Sequence, residues 1–378
     1  MHRPAGALQP ARYFWVGALA LATALRWAEV DLGAVRANCA RILGHLPKGA
    51  RLFAVVKAGG YGHGAVAVAR AALDGGATGL AVATLEEARE LSGLVRADHI
   101  VVMGGLVPGQ ASTAAAMGCS IGVSSRELAA ALGATDEVVP VHLKIDTGLG
   151  RFGCSPEEAA SLAGFIEDSP GLRLAGTWTH FASSESDPEM TRRQFDLFVA
   201  TLATLDVDPG VRHACNSGSA LRYPEYAFDG VRCGIAIYGC EWPGMRPALA
   251  LRSVVTHVKT VSQGDTVGYG ATWRSPGKSR VATVAIGYAD GVLRARSNRG
   301  DVLVRGRRAP LIGVVSMDAI TIDVTDVPGV EVGDVATLIG RQGDERITAE
   351  EVAGWSGTIS YEVLTSLGNR VERRYAAG

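Results

Sequence analysis

"LFAVVKAGGYGHGAVAVARAALDGGATGLAVATLEEAREL", residues 52–91, holds the fold in miniature. An apolar run, 52–56, ends on Lys57 and a turn of interleaved glycines, and an Ala-rich stretch follows. A second apolar run, 80–83, leads to Thr84, which stands three residues before Glu87 in the spacing of a helix capping box. Runs that are apolar throughout are strands buried on both faces, and their alternation with helical stretches indicates a parallel sheet. Outward from this stretch the same unit recurs between Arg51 and Gly239. Its further apolar runs are 100–103, 119–123, 139–145, 173–178, 211–215 and 231–237. Capping patterns at Ser124…Glu127, at Ser155-Pro156…Glu158 and at Asp187-Pro188 open intervening helices. Eight strand–helix units predict a (β/α)₈ barrel.

After about Leu251 the period changes. "VVTHVKTV", "RVATVAIGYADG", "GDVLVRG", "AITIDV" and "GDVATLIG" alternate apolar and polar residues between Gly, Asp and Pro turns, as half-buried antiparallel strands do. Helical patterning returns at Thr348…Glu351, another capping box. The expected organisation is an N-terminal extension over 1–26, a barrel over 27–250 and a C-terminal β domain over 251–378.

Composition narrows the function. Of 378 residues 47% are apolar and 20% charged, with a formal net charge of −1, ordinary for a globular enzyme and unlike a nucleic-acid-binding surface. The one basic cluster, "RGRR" at Arg305–Arg308, reads as a solvated turn. Six scattered cysteines form no CxxC pair and read as free thiols of a reducing, cytoplasmic compartment. Eight histidines make no metal-ligand cluster, so no metal is expected. The apolar run Phe14–Leu25 is too short to span a bilayer. It follows Arg3 and Arg12 and carries small-residue sites, so it reads as a secretory signal, which would make the protein periplasmic or secreted, as a docking segment, or as extra residues ahead of a fold that starts near Trp27.

In such a barrel the active site lies at the C-terminal strand ends. Those ends carry Lys57, then "KIDTGLGRFG" with Lys144 and Arg151, then Thr179-His180, Asn216-Ser217, and Arg232 ahead of Gly234-Ile235. A strand-end lysine can be a snorkelled structural residue. Desolvated at a barrel mouth, it is instead a nucleophile toward carbonyls. The turns at Ser217 and Gly234-Ile235 follow the last two strands, where barrels of this kind bind phosphate. Lysine, phosphate cradle and a ring-stacking His180 together point to pyridoxal 5′-phosphate (PLP). "GLGRFG", Gly148–Gly153, matches GxGxxG but sits on the fifth unit without a correctly placed acid, so it is set aside as a dinucleotide site.

From Trp27 to Tyr375 the chain resembles the alanine racemases. The resemblance is carried by "WAEVDLGAVRANC", "AVVKAGGYGHG", "KIDTGLGRFG", "THF", "NSGSAL", "VRCGIAIYG", "VGYGATW", "IGYADG", "VSMDAITIDV" and "ISYEVLTSLGNRVERRY". It implies a PLP-dependent isomerase of amino acids that interconverts L- and D-alanine, supplies D-alanine for peptidoglycan, and works as a homodimer with shared active sites. Lys57 would hold PLP and act as one base, and Tyr269 of the partner subunit would be the other. Tyr61, Ser217, Gly234, Ile235 and Tyr361 would bind the phosphate, with Asn216 beside them and His180 by the ring. Arg232 would face the pyridine nitrogen; an arginine holds its proton (pKa above ~12), so the ring stays a weak electron sink and transamination is suppressed. Arg151 and the Met317 backbone would receive the substrate carboxylate, Tyr288 would line the entrance, and Lys144 occupies a position often carbamylated. Alternatives are a serine or broad-specificity racemase, a fold-related PLP decarboxylase, which would want an acid in place of Arg232, and a PLP carrier lacking the β domain. The family usually reads KANAYGHG; here Gly59-Gly60 replace Asn-Ala, and two glycines are expected to loosen the segment that positions Lys57 and Tyr61.

Overall fold

The structure, a computed structural model, describes residues 24–376. Residues 1–23 fall outside that range, and with them nearly all of the Phe14–Leu25 run and its reading as a signal or docking segment. Among the described residues no helix is long and apolar enough to cross a membrane.

The chain opens with β1 (Arg26–Asp31) and then builds the barrel from eight parallel strands. These are β2 (Arg51–Val55), β3 (Gly79–Val82), β4 (Ile100–Val102), β5 (Ser120–Val123), β6 (Val139–Lys144), β7 (Leu172–Trp178), β8 (Val211–His213) and β9 (Gly230–Cys233). Pairing of β2 with β9, Phe53 opposite Arg232, closes the ring. Each strand starts within one residue of the apolar run that predicted it and ends within two, except that 231–237 runs four residues past β9 into the helical turn Ile235–Tyr238. The capping boxes at Thr84–Glu87 and Ser155–Glu158 form, and Asp187 caps its helix through the Met190 N–H. The third cap departs from expectation. Ser125, not Ser124, is the N-cap, accepting from Leu128, because it is the later serine that has the extended backbone a cap requires.

A strand-rich sheet follows. Its members are β10 (Leu249–Val261), β13 (Ser279–Val284), β14 (Asp301–Val304), β15 (Arg307–Ile312), β16 (Ile320–Asp323), β17 (Val335–Gln342), β18 (Glu345–Ile347) and β19 (Glu372–Ala376), with a separate ribbon of β11 (Thr266–Val267) and β12 (Trp273–Arg274). The first strand of the chain belongs here too. β1 pairs antiparallel with β10 and parallel with β19, so the residues just after the N-terminal extension sit in the second sheet and not in the barrel. The half-buried pattern of "RWAEVD" is that of a sheet strand with unlike faces, unlike the fully buried barrel strands β3, β4, β5, β6 and β9. The "RGRR" cluster is the β14–β15 hairpin turn, with Arg305 and Gly306 both left-handed at φ 50° and 73°. Two of its three arginines are engaged: Arg305 pairs with Asp334, and Arg308 with Asp301, Glu345 and Glu351.

Candidate active site

A cavity of about 310 Å³ opens at the C-terminal ends of the barrel strands. Ten of the residues singled out from the sequence line it: Lys57, Tyr61, Arg151, His180, Asn216, Ser217, Arg232, Gly234, Ile235 and Tyr361. Met103 and Thr365 line it as well, and nothing in their sequence context marked them.

The segment after β2 is a single left-handed turn. Ala58, Gly59, Gly60 and Tyr61 all have positive φ, between 50° and 62°, and the Gly60 N–H bonds the Val56 carbonyl. An L-residue in this conformation costs about 1–2 kcal/mol, and glycine nearly nothing. The Gly59-Gly60 pair therefore relieves strain at this turn, where free chain was expected to loosen it. Glu87 ties the turn down: its carboxylate accepts the Ala58 N–H and the Ala83 N–H, both at 2.7 Å, joining the ends of β2 and β3. Burial and the neighbouring Arg151 guanidinium lower the Lys57 pKa, and Glu87 opposes them only in part. The ammonium form of Lys57 is thus disfavoured relative to a solvated lysine.

Across the cavity, the Ser217 hydroxyl accepts the Gly234 N–H at 3.0 Å and the Ala236 N–H at 3.4 Å, fastening the loops after β8 and β9 to one another. Gly234 is required sterically: a Cβ there would lie 2.4 Å from the Tyr61 hydroxyl. Tyr61 stacks on Tyr238 at 4.8 Å and leans toward Tyr361 at 6.0 Å. Hydroxyls and backbone amides line this end of the cavity without a carboxylate, as suits a phosphate, although Glu185 stands just behind, against Gly218. Asn216 has another task, since its side chain caps the helix Ser217–Arg222 through the Ser219 N–H.

Arg232 is buried with no carboxylate partner. Its Nη1 donates to His213 Nδ1 at 2.7 Å and to the His213 carbonyl, and its Nη2 to His180 Nδ1 at 3.1 Å and to the carbonyls of Thr179 and Ala214. Burial pushes its pKa down to about 10, still well above neutrality. Its Nε is buried and unpartnered in a residue that lines the cavity, so one donor is kept for something the cavity receives. A neutral aromatic nitrogen meets that need. These observations fit PLP: an amine for its aldehyde, a hydroxyl and amide cradle for its phosphate, and a lone donor for its ring nitrogen.

Sequence reasoning missed Trp178, the last residue of β7, whose ring lies under both the Lys144 ammonium (4.9 Å) and the Arg232 guanidinium (4.6 Å). Lys144 itself is buried below the cavity, 3.2 Å from the Phe152 ring centroid, with Nζ unpartnered. Burial, then Arg151 and Arg232, bring its pKa down to about 7. The glycines of "GLGRFG" serve a local purpose: the N–H groups of Gly148, Leu149 and Gly150 converge on the Asp146 carboxylate. Amides spent on the loop's own anion are not available to a dinucleotide.

Three singled-out residues lie elsewhere. Tyr269 is 71% exposed on a turn after β11, and Met317 and Tyr288 are also exposed. Tyr288 and Met317 are held side by side, with the Tyr288 N–H on the Ser316 carbonyl and the Ala289 N–H on the Met317 carbonyl. Buried Asp290, which sequence reasoning also missed, anchors that turn by accepting from Gly287, Arg26 and Arg370.

A (β/α)₈ barrel with a strand-end lysine facing a phosphate cradle, followed by a strand-rich sheet, defines a PLP-dependent enzyme. Comparison with known proteins gives its family. The alanine racemase N-terminal domain model matches residues 30–241 and the C-terminal domain model residues 248–375. An alanine racemase of Symbiobacterium thermophilum is 43% identical, covering 92% of this chain and 96% of the relative. The structure of alanine racemase from E. faecalis superposes with a TM-score of 0.88 at 36% identity over 93% of this chain and 98% of that one. That from Bartonella henselae, with covalently bound pyridoxal phosphate, gives 0.86 at 29% identity over 93% and 100%. The chain belongs to the alanine racemase family.

Proposed function

We propose that the chain interconverts L- and D-alanine by moving the α-proton between two bases on opposite faces of the substrate, Lys57 of one subunit and Tyr269 of its partner. The observation that carries this reading is Lys57 itself, a half-buried amine of lowered pKa just past a strand end, lining the same cavity as Ser217 and Gly234. PLP, when bound, supplies the electron withdrawal that makes the α-carbon acidic. Lys57 holds it at the aldehyde, Tyr61, Ser217, Gly234, Ile235 and Tyr361 hold the phosphate, and His180 and Asn216 flank it. Arg232 donates its spare Nε–H to the ring nitrogen. Because arginine does not surrender that proton, the ring remains a modest electron sink.

Inversion needs a proton removed from one face and delivered to the other, and each antipode then has its own acceptor. Tyr269 is far more exposed than a working base would be, which fits a side chain completed by a second subunit in a two-fold dimer. Arg151 and the Met317 backbone receive the substrate carboxylate, and Tyr288 narrows the entrance toward a small substrate. The six cysteines, all free and buried, fit a reducing cytoplasm, where D-alanine for peptidoglycan is made. Polarimetry on L-alanine and L-serine tests the specificity. Alanine should lose rotation at the higher kcat/KM, by roughly tenfold or more if the pocket is fitted to the methyl group. Serine turning over faster would make this a serine racemase.

Lys144 is the site of a carbamate that orients Arg151. Its supporting features are an unpartnered buried amine and a pKa brought down to about 7, since only the neutral amine attacks CO₂. With the pKa lowered, the reactive form is abundant above pH ~7 instead of above the ordinary ~10.4 of lysine. Supplied with ¹³C-bicarbonate, the protein should show a carbamate resonance that grows as pH rises through that range. Its absence from wild-type protein, or its persistence in Lys144→Ala, would remove the assignment.

A further inference from the structure

Below the cavity, the barrel interior holds an unbroken hydrogen-bonded chain. Arg232 Nη1 meets His213 Nδ1 at 2.7 Å, and His213 Nε2 meets His142 Nδ1 at 2.8 Å. Toward the mouth, Arg232 Nη2 meets His180 Nδ1 at 3.1 Å. Phe53, His142 and His213 come from alternate strands β2, β6 and β8 and touch ring to ring, with centroids 5.4 Å and 5.1 Å apart, as one layer of a packed barrel does. All three histidines have pKa values lowered, first by burial and then by the arginine charges.

Donor counting fixes every proton in this chain. Arginine has no acceptor, so His213 Nδ1 and His180 Nδ1 must both be bare. A neutral His213 then carries its proton on Nε2 and donates it to His142, whose Nδ1 must also be bare. His142 therefore carries its proton on Nε2. That nitrogen has no partner in the described protein, although His142 is only 3% exposed. His142 lines a second cavity of about 370 Å³ in the barrel floor, together with Arg51, Asp98, His99 and Arg173. A polar cavity of that size admits water, which can take the last proton.

We propose that His142 is a positioning residue for the reaction: by accepting from His213 it holds His213 in the tautomer that seats Arg232. The seated guanidinium keeps Nε–H directed at the cofactor ring. This deepens the proposed function and rests on Arg232 facing the ring nitrogen. Without an acceptor at position 142, His213 is free to place its proton on Nδ1, where it would oppose the Arg232 N–H and displace the guanidinium.

The test compares His142→Leu, which fills the space without accepting, with His142→Asn, whose carboxamide oxygen can replace Nδ1. Two quantities are read on the holoenzyme. One is the protonation of the His213 ring nitrogens, by ¹⁵N NMR of histidine-labelled protein. The other is pyruvate formed per alanine racemised, a measure of transamination. Wild type should show His213 protonated on Nε2 alone. His142→Leu should populate His213 Nδ1–H and raise the pyruvate ratio by roughly tenfold, in the range found when a partner that orients a site residue is lost. His142→Asn should restore both toward wild type. A proton on His213 Nδ1 in wild type would overturn the proposal, and so would Leu and Asn variants that behave alike in both readouts. A tautomer change with an unaltered pyruvate ratio would uphold the relay and count against Arg232 facing the ring nitrogen. Should His142→Leu fail to fold, the wild-type and Asn spectra still decide the tautomer.

Discussion

Lys57→Ala should lose covalent PLP and more than roughly a thousandfold of alanine racemisation, since in the proposed mechanism one residue supplies both the attachment and a base. The fold should survive. Lys57 lies just past the end of β2 on a turn held by backbone bonds and by Glu87, and no ion pair to it forms among the described residues. Removing a cation whose burial already lowers its pKa relieves a desolvation cost. Borohydride reduction of wild-type protein followed by peptide mapping should place the pyridoxyl label on the Lys57 peptide, and circular dichroism of the variant should match wild type. The informative competitor is Lys144, the other buried lysine beside the cavity. Label on its peptide would contradict the assignment.

Arg232→Glu should cost roughly a hundredfold or more in racemisation, the scale seen when a preorganised electrostatic partner is removed. Its signature is in the products. A carboxylate facing the ring nitrogen would keep it protonated and make the ring a stronger electron sink, so pyruvate from transamination should rise relative to D-alanine. The glutamate would also meet His213 and His180, whose bare Nδ1 atoms now accept from Arg232. Both rings would have to change tautomer or gain a proton to serve a carboxylate. A variant that keeps bound cofactor and wild-type product ratios would show that position 232 does not govern the ring.

Much of this was legible because barrel strands announce themselves: uniformly apolar runs between capped helices left eight strand ends, and their residues converge on one cavity. Period and caps fixed the elements, but not which sheet a short strand joins. β1 reads like any alternating strand, and only the distant partners β10 and β19 draw it out of the barrel. Tertiary contacts also hid His142, His213 and Trp178. The signal for His142 was present, two residues before Lys144 on the same strand and so on the same inward face. An inward histidine in an apolar run, however, looks like any buried core histidine until its partners on β8 and β9 are known. Gly59-Gly60 was misjudged for a related reason. Two glycines in sequence suggest freedom, whereas the backbone there is held left-handed, and freedom from a Cβ is what lets it be held. The remaining gap is Tyr269, Tyr288 and Met317, exposed here, for which the roles proposed above need a second chain.

The central claim, a site assembled from Lys57 of one subunit and Tyr269 of another, is tested most directly by complementation. Lys57→Ala and Tyr269→Phe, each nearly inactive alone, are unfolded and refolded together. In a mixed dimer with sites built in trans, one site collects both defects and the other receives wild-type Lys57 and wild-type Tyr269. Random pairing puts one intact site in about half of the dimers, so activity should return toward about a quarter of wild type. Mixed dimers that are present, as shown by mass spectrometry of the intact complex, and yet inactive would contradict the shared site.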